Sequence, residues 1–268
     1  MSRKGRYGQG RVSRGVIHEK AKGPLMSEHA SEMVAAIREV VDANHILFDQ
    51  GVVDGFGHVS LRHPVVADRF LLARSMAPAL VTAADILAFD LAGVAVEPDP
   101  PATYLERFIH GEIYRARPDV MAVVHSHSPA VIPFSVVGTR LRPVCHMCGF
   151  LGAATPVFEI RDAAGRSSDL LIRDARLGAA LAQSLGRGSA VLMRGHGSTV
   201  VGLSLRQAVF RAVYTEVGAR LQAEAMRLGP VTYLTEEEAA AAAETNDTQI
   251  DRSWSLWLTA ARRRSMAN

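Results

Sequence analysis

The sequence predicts an α+β protein, with helices bracketing short strands gathered into one layered sheet. Three observations lead there. The chain has 268 residues, 48% hydrophobic and 21% charged, the balance of an ordinary globular domain. Its β-rich pieces are short and broken by Gly and Pro, and they cluster between about residues 57 and 201. Helical periodicity recurs before, within and after that cluster, without the regular strand-helix alternation of a Rossmann fold.

The elements follow in order. Residues 27–50 carry apolar side chains at Met33, Ala36, Val40, Val41, Ile46 and Leu47, a helical spacing after a Ser-led start. Strands are predicted over 57–62, 69–73 and 86–90. A helix over 104–116 turns Phe108, Ile109, Ile113 and Tyr114 inward and stops at Arg117-Pro118. Strands follow at 120–125, 156–160, 189–193 and 198–201, the last pair joined across a Gly-His-Gly turn. A long helix over 205–228, an acidic Ala-rich one over 235–245 and a last one over 251–264 with Trp254 and Trp257 complete the chain.

Composition excludes several function classes. Residues 1–25 hold seven basic side chains against Glu19 alone, a net of +6, so the total of +3 leaves the rest of the chain at −3. A slightly acidic body offers no basic nucleic-acid groove, and the Gly-rich tail over 1–25 reads as a disordered arm. One catalytic domain is expected over 26–268, with C-terminal helices from about 234. No apolar run approaches the roughly 20 residues of a membrane helix, and a cytoplasmic location is expected. All three lysines, Lys4, Lys20 and Lys22, lie in the tail. Schiff-base, pyridoxal-phosphate and phosphate-loop chemistries each require an amine that the body lacks. Cys145-His-Met-Cys148 has no second pair to complete a structural zinc site and reads as packing rather than redox chemistry.

The chemistry gathers on histidine. In Val123-Val-His-Ser-His-Ser128 two histidines lie two apart at the end of an apolar strand, so His125 and His127 project to one face. The spacing suits chelation and equally suits a polar strand end. His196, between Gly195 and Gly197, adds a third imidazole on a tight turn. Three imidazoles accept zinc, manganese, iron or cobalt and leave positions open for substrate. Glu106 falls in the first turn of the predicted 104–116 helix, where it reads as a helix-start carboxylate or as an acid/base beside a metal. His110 is either its partner or a buried structural histidine.

These motifs together resemble the class II aldolase/adducin family. The resemblance rests on Gly57-x-x-Ser60-x-Arg62, Glu106-x-x-x-His110 with Ile113-Tyr-Arg-Ala-Arg-Pro-Asp119, Val-His125-Ser-His127 and Gly195-His196-Gly, in that order. It implies a three-layer α/β/α fold around a central, mainly antiparallel sheet. It also implies a divalent ion, Mn2+ or Zn2+, on His125, His127 and His196, with Glu106 as catalytic acid/base. Assembly as a homotetramer or a multiple of it, with sites near subunit interfaces, is expected.

Departures from the family pattern direct the choice of substrate. Sugar-phosphate members show Gly-Asn at Gly57-His58, Thr-Pro-x-Gly near Ala73-Arg-Ser-Met-Ala77, and Ser-Ser at Tyr104-Leu105. Exchanging small donors for Tyr, Leu and Met removes a phosphate cradle. What remains around the expected metal is His58, Arg74, Ser75, Tyr104 and His146, a set suited to a flat aromatic ring bearing carboxylate and hydroxyl. The chain resembles the decarboxylase branch, whose members act on hydroxylated phthalates and on 3-hydroxy-2-methylpyridine-4,5-dicarboxylate of vitamin B6 breakdown, the latter resembling it most. The alternatives are an aldolase on a non-phosphorylated hydroxy-carbonyl substrate and a non-catalytic adducin-like binding module.

Overall fold

In the computed structural model, seven strands form one sheet in the order β3-β2-β1-β4-β7-β6-β5, flanked by helices on both faces. The structure describes Met1 and residues 23–267, with side chains from 28 to 264, so most of the predicted tail lies outside the described residues. The strands are β1 His58–Arg62, β2 Arg69–Ala73, β3 Ile86–Asp90, β4 Ala122–Ser126, β5 Val157–Phe158, β6 Ala190–Met193 and β7 Gly197–Gly202. Every pairing is antiparallel except the short parallel contact of β5 with β6. The helices are α1 Gly23–Asp49, α2 Arg107–Ala116, α3 Ile132–Val136, α4 Arg161–Ala164, α5 Ala175–Leu185, α6 Leu205–Leu228, α7 Glu236–Asp247 and α8 Ile250–Ala267.

Strand periodicity divides the core into two layers. Val59, Leu61, Leu71, Ala122, Val124, Leu192 and Val200 point to one face and pack against α1, α6 and α8. Their neighbours Phe70, Leu72, Val123, Val191, Met193 and Val201 point to the other and pack against α2 and α5. Because the period is two, a one-residue slip would exchange the faces and carry the site histidines with them. Trp254 and Trp257 are buried in the first layer, with Trp257 against Phe210 and Tyr214 of the same chain.

Helices α2, α1 and α5 depart most from the sequence expectation. Helix α2 begins at Arg107 rather than 104, so Tyr104 lies in the loop before it and Glu106 takes the N-cap position. Helix α1 begins at Gly23, with Pro24 in the first turn, where a missing N–H costs no helical bond. Helix α5 was not expected at all, although Asp174 accepts from the Leu177 N–H at its start and Gly186 (φ 54°) ends it.

Buried Arg62 ties α2 to the turn entering β4. Its guanidinium donates to the carbonyls of Val120 (2.9 Å), Ala67 (2.8 Å), Tyr114 (2.9 Å) and Arg117 (3.1 Å). That fixes the β1-α2-β4 frame on which the site is built. Among the described residues no helix is long and apolar enough to cross a membrane.

Candidate metal centre

The site forms where β1, β4 and the β6-β7 turn meet the start of α2. Register places His58 of β1 directly opposite His125 of β4, and Ser126 opposite Ser198 of β7. His127 follows one residue after β4 ends, and His196 sits in the turn between β6 and β7. Two glycines permit this turn. Gly195 holds φ 65°, and a Cβ on Gly197 would run into the carbonyl oxygen of Ser126, so β7 reaches β4 only without a side chain there.

Three imidazole nitrogens converge. His127 Nε2 lies 3.1 Å from His125 Nε2 and 2.9 Å from His196 Nε2. Glu106 Oε2 is 3.4 Å from both His125 Nε2 and His196 Nε2. All four ligand atoms lie within 4.8 Å of one another. The far nitrogens are engaged, with His125 Nδ1 donating to Ser198 O (3.1 Å) and His196 Nδ1 to Leu170 O (2.9 Å). In the neutral rings these bonds fix the tautomer that turns the Nε2 lone pairs inward. Converging lone pairs beside a buried carboxylate repel one another unless a cation lies among them. A His3Glu donor set of this kind fits a divalent transition metal.

Electrostatics agree. Burial alone would raise the Glu106 carboxyl, but His125 and His196 hold it well below the usual carboxylate range, so it is ionised. Burial, then His125 and His196, press His127 down to about 4. Burial works against charge on His196 too, yet the Glu106 carboxylate outweighs it and raises that group. Glu106 does not cap α2 with its side chain; its Oε1 accepts from the Ile172 N–H at 2.9 Å.

A second, buried layer backs the centre. His58 Nδ1 and His110 Nε2 are 2.6 Å apart, His110 Nδ1 and Ser60 Oγ 2.6 Å, and Ser60 Oγ and Tyr114 Oη 2.7 Å. Burial is the main cause that depresses His58 and His110, so both are neutral. The chain runs from the site into the α2 layer, and it gives His110 a structural position between β1 and α2.

Beside the donor cluster opens a pocket of about 520 Å3 lined by His58, Ser75, Tyr104, Glu106 and His127, with walls of Phe56, Met76, Ala77, Leu105 and Leu171. Four sequence-predicted residues therefore join the cluster and five line the pocket, Glu106 and His127 belonging to both. Tyr104 lies 4.6 Å from His58, ring to ring, and its hydroxyl donates to Met76 O at 2.6 Å. Arg74 and His146 are not brought in. The Arg74 guanidinium is bound to Asp85 at 2.6 Å, and exposed His146 opens a 3-10 turn, His146–Leu151, packed on α6 and α7. Three residues that sequence reasoning missed shape the site. Leu170, at φ 70°, presents the carbonyl that orients His196; Leu171 lines the pocket; Ile172 holds Glu106. A non-Gly residue at positive φ costs about 1–3 kcal/mol and gives no sequence signal.

Fold and site together define a class: the chain belongs to the class II aldolase/adducin family, matching the model of the class II aldolase and adducin N-terminal domain over residues 38–223. Among its relatives, the decarboxylase TropJ of Talaromyces stipitatus is 39% identical over 245 residues, covering 83% of this chain and 92% of that protein. A 3,4-dihydroxyphthalate decarboxylase of Terrabacter sp. is 32% identical over 213 residues, covering 73% and 83%. The structure of an L-fuculose 1-phosphate aldolase from Glaciozyma antarctica superposes with a TM-score of 0.72 at 21% identity, covering 89% and 93%, a likeness of fold.

Proposed function

We propose that this chain is a divalent-metal-dependent carboxy-lyase acting on an aromatic or pyridine acid with a hydroxyl beside the departing carboxylate. The observation that carries this reading is the His125-His127-His196-Glu106 cluster opening onto a pocket walled by Phe56, Tyr104 and Met76. Its similarity to two decarboxylases, one named for a dihydroxyphthalate, supports the reaction type. A bound Mn2+ or Zn2+ would supply Lewis-acid polarisation of a substrate oxygen and a counter-charge for the electron pair left as CO2 departs.

The chain's own residues do the rest. His125, His127 and His196 would hold the ion. Tyr104 and His58 flank the ring, and the apolar walls exclude water, which strengthens charge interactions inside. Glu106, held ionised, takes the proton of the substrate hydroxyl. The ring-to-carboxylate C–C bond then breaks, its electron pair stays on the ring carbon, and Glu106 returns the proton to that carbon.

For the substrate itself we carry 3-hydroxy-2-methylpyridine-4,5-dicarboxylate as the first candidate and hydroxylated phthalates as the second. Among the described residues lining the pocket there is no lysine or arginine, so a second carboxylate is left to exposed Ser75 and solvent. Product analysis across these acids and non-phosphorylated hydroxy-carbonyl compounds tests the reading. CO2 from an aromatic acid supports it. Aldehyde from the hydroxy-carbonyl set with no CO2 would replace it with aldol cleavage, and no turnover of any compound would favour the adducin-like binding module.

Assembly as a homotetramer is part of the same proposal. Exposed Val137 and Met226 beside Ala130 and Phe134, where α3 meets the end of α6, support a self-associating face. Light scattering on the purified protein should give four times the chain mass or a multiple of it; a monomer mass would remove this part.

A further inference from the structure

The Cys145/Cys148 motif, which the metal centre does not use, brings two unlike thiols into contact. The sulfurs lie 3.3 Å apart across the start of the turn His146–Leu151, where the Cys148 N–H donates to Cys145 O at 3.0 Å. Cys145 is partly open to solvent, whereas Cys148 is fully buried. Cys148 Sγ lies in the seam beneath α6, 3.3 Å from Tyr214 O, and Gly218 leaves the room it occupies, since a Cβ there would stand 2.6 Å from that sulfur. Gly149 seats the same turn against the α7 backbone. The backbone is therefore held while the two side chains face each other.

The pair is also chemically asymmetric. Hydrogen bonding with Cys148, and then with the N–H groups of Met147 and Cys148, lowers the Cys145 thiol against the effect of its burial. The neighbouring Cys145 and burial push Cys148 up. An accessible sulfur that favours the thiolate next to a buried one that stays protonated is the arrangement of an attacking and a resolving cysteine.

We propose that Cys145 and Cys148 are a reversible dithiol/disulfide modification site that exchanges with small-molecule disulfides, independently of the metal centre. The Cys145 thiolate attacks one sulfur of the disulfide RSSR; a Cys145–SR bond forms, the RS–SR bond breaks, and one RS− leaves to be protonated by solvent. Cys148 gives up its proton as its sulfur attacks Cys145 Sγ. The Cys145–Cys148 bond forms, the bond to SR breaks, and the second RS− leaves as thiol. Two protein thiols are oxidised by two electrons and RSSR is reduced to two RSH. Closing the bond brings the sulfurs from 3.3 Å to about 2.05 Å, a side-chain movement.

The test uses the full chain in a graded series of reduced and oxidised glutathione, quenched with acid, alkylated and weighed intact. Cys145 and Cys148 are the only cysteines, so the mass reports on them alone. The expected result is simultaneous loss of both alkylation sites with no glutathione bound, reversed by dithiothreitol. Cys148→Ser should accumulate a glutathione adduct on Cys145, and Cys145→Ser should stay unmodified. A lasting single adduct on the unaltered protein, disulfide-linked chain dimers, or two free thiols in oxidised glutathione alone would each overturn the proposal.

Discussion

His110 offers a quantitative test of how the site is braced. It is wholly buried, stacked near Phe70 and bonded through both ring nitrogens to His58 and Ser60 at 2.6 Å. His110→Ala leaves a cavity, at about 2–4 kcal/mol for a side chain of this size. It also orphans a nitrogen of His58, at about 1–3 kcal/mol. The combined loss at pH 8 is therefore about 3–7 kcal/mol. The pH dependence is more diagnostic. Burial, aided by His125, presses His110 from 6.5 down to about 3. Below pH 6.5 the unfolded chain binds a proton that the folded chain refuses, so this group's effect is to lower wild-type stability as pH falls from 6.5 toward 3, by about 1.4 kcal/mol per unit. The variant has no such group. The gap between wild type and variant should therefore narrow by about 2 kcal/mol between pH 8 and pH 5. Urea unfolding of chelator-treated protein across that range measures it. A gap that stays constant would refute the assignment of His110 as a buried neutral histidine.

Further outcomes follow from the same geometry. Glu106→Gln can still accept from the Ile172 N–H but removes the charge, so CO2 release from the proposed substrate should fall about 100- to 10,000-fold while circular dichroism is unchanged. Gly197→Ala drives a methyl into Ser126 O; unfolding midpoints should report a loss of about 1–3 kcal/mol, and calorimetry should show weaker Mn2+ or Zn2+ binding. Arg62→Ala strips four backbone carbonyls of their donor and should cost about 3–5 kcal/mol by denaturant titration. A loss under 1 kcal/mol would mean that water replaces it.

Much of this was legible in the sequence because the site is built on strand periodicity and turn chemistry. The two-residue spacing of His125 and His127 and the glycines around His196 are local rules, and the structure brings all three rings together. Ser60, Arg62 and His110, which carried the family resemblance, proved to be frame residues hydrogen-bonded between β1 and α2. What the sequence did not reveal depends on long-range placement. Arg74 has the right charge for a carboxylate, but Asp85, eleven residues on, takes its guanidinium. The carbonyls of Leu170 and Ser198 orient two histidines through backbone atoms that no residue type announces. Helix α5 has its Asp174 and Gly186 signals, but its short Ala-rich sequence carries an apolar stripe that only packing against α2 turns into a helix.

In the proposed function the histidine cluster and Glu106 form a metal centre that drives decarboxylation. The most direct measurement is CO2 release from 3-hydroxy-2-methylpyridine-4,5-dicarboxylate and from 3,4-dihydroxyphthalate by the purified protein, before chelation, after it, and with Mn2+ or Zn2+ restored. Release should stop with the chelator, return with the metal and be absent in His127→Ala at every stage. Release that persists in the chelated protein, or in His127→Ala, would contradict the proposed function.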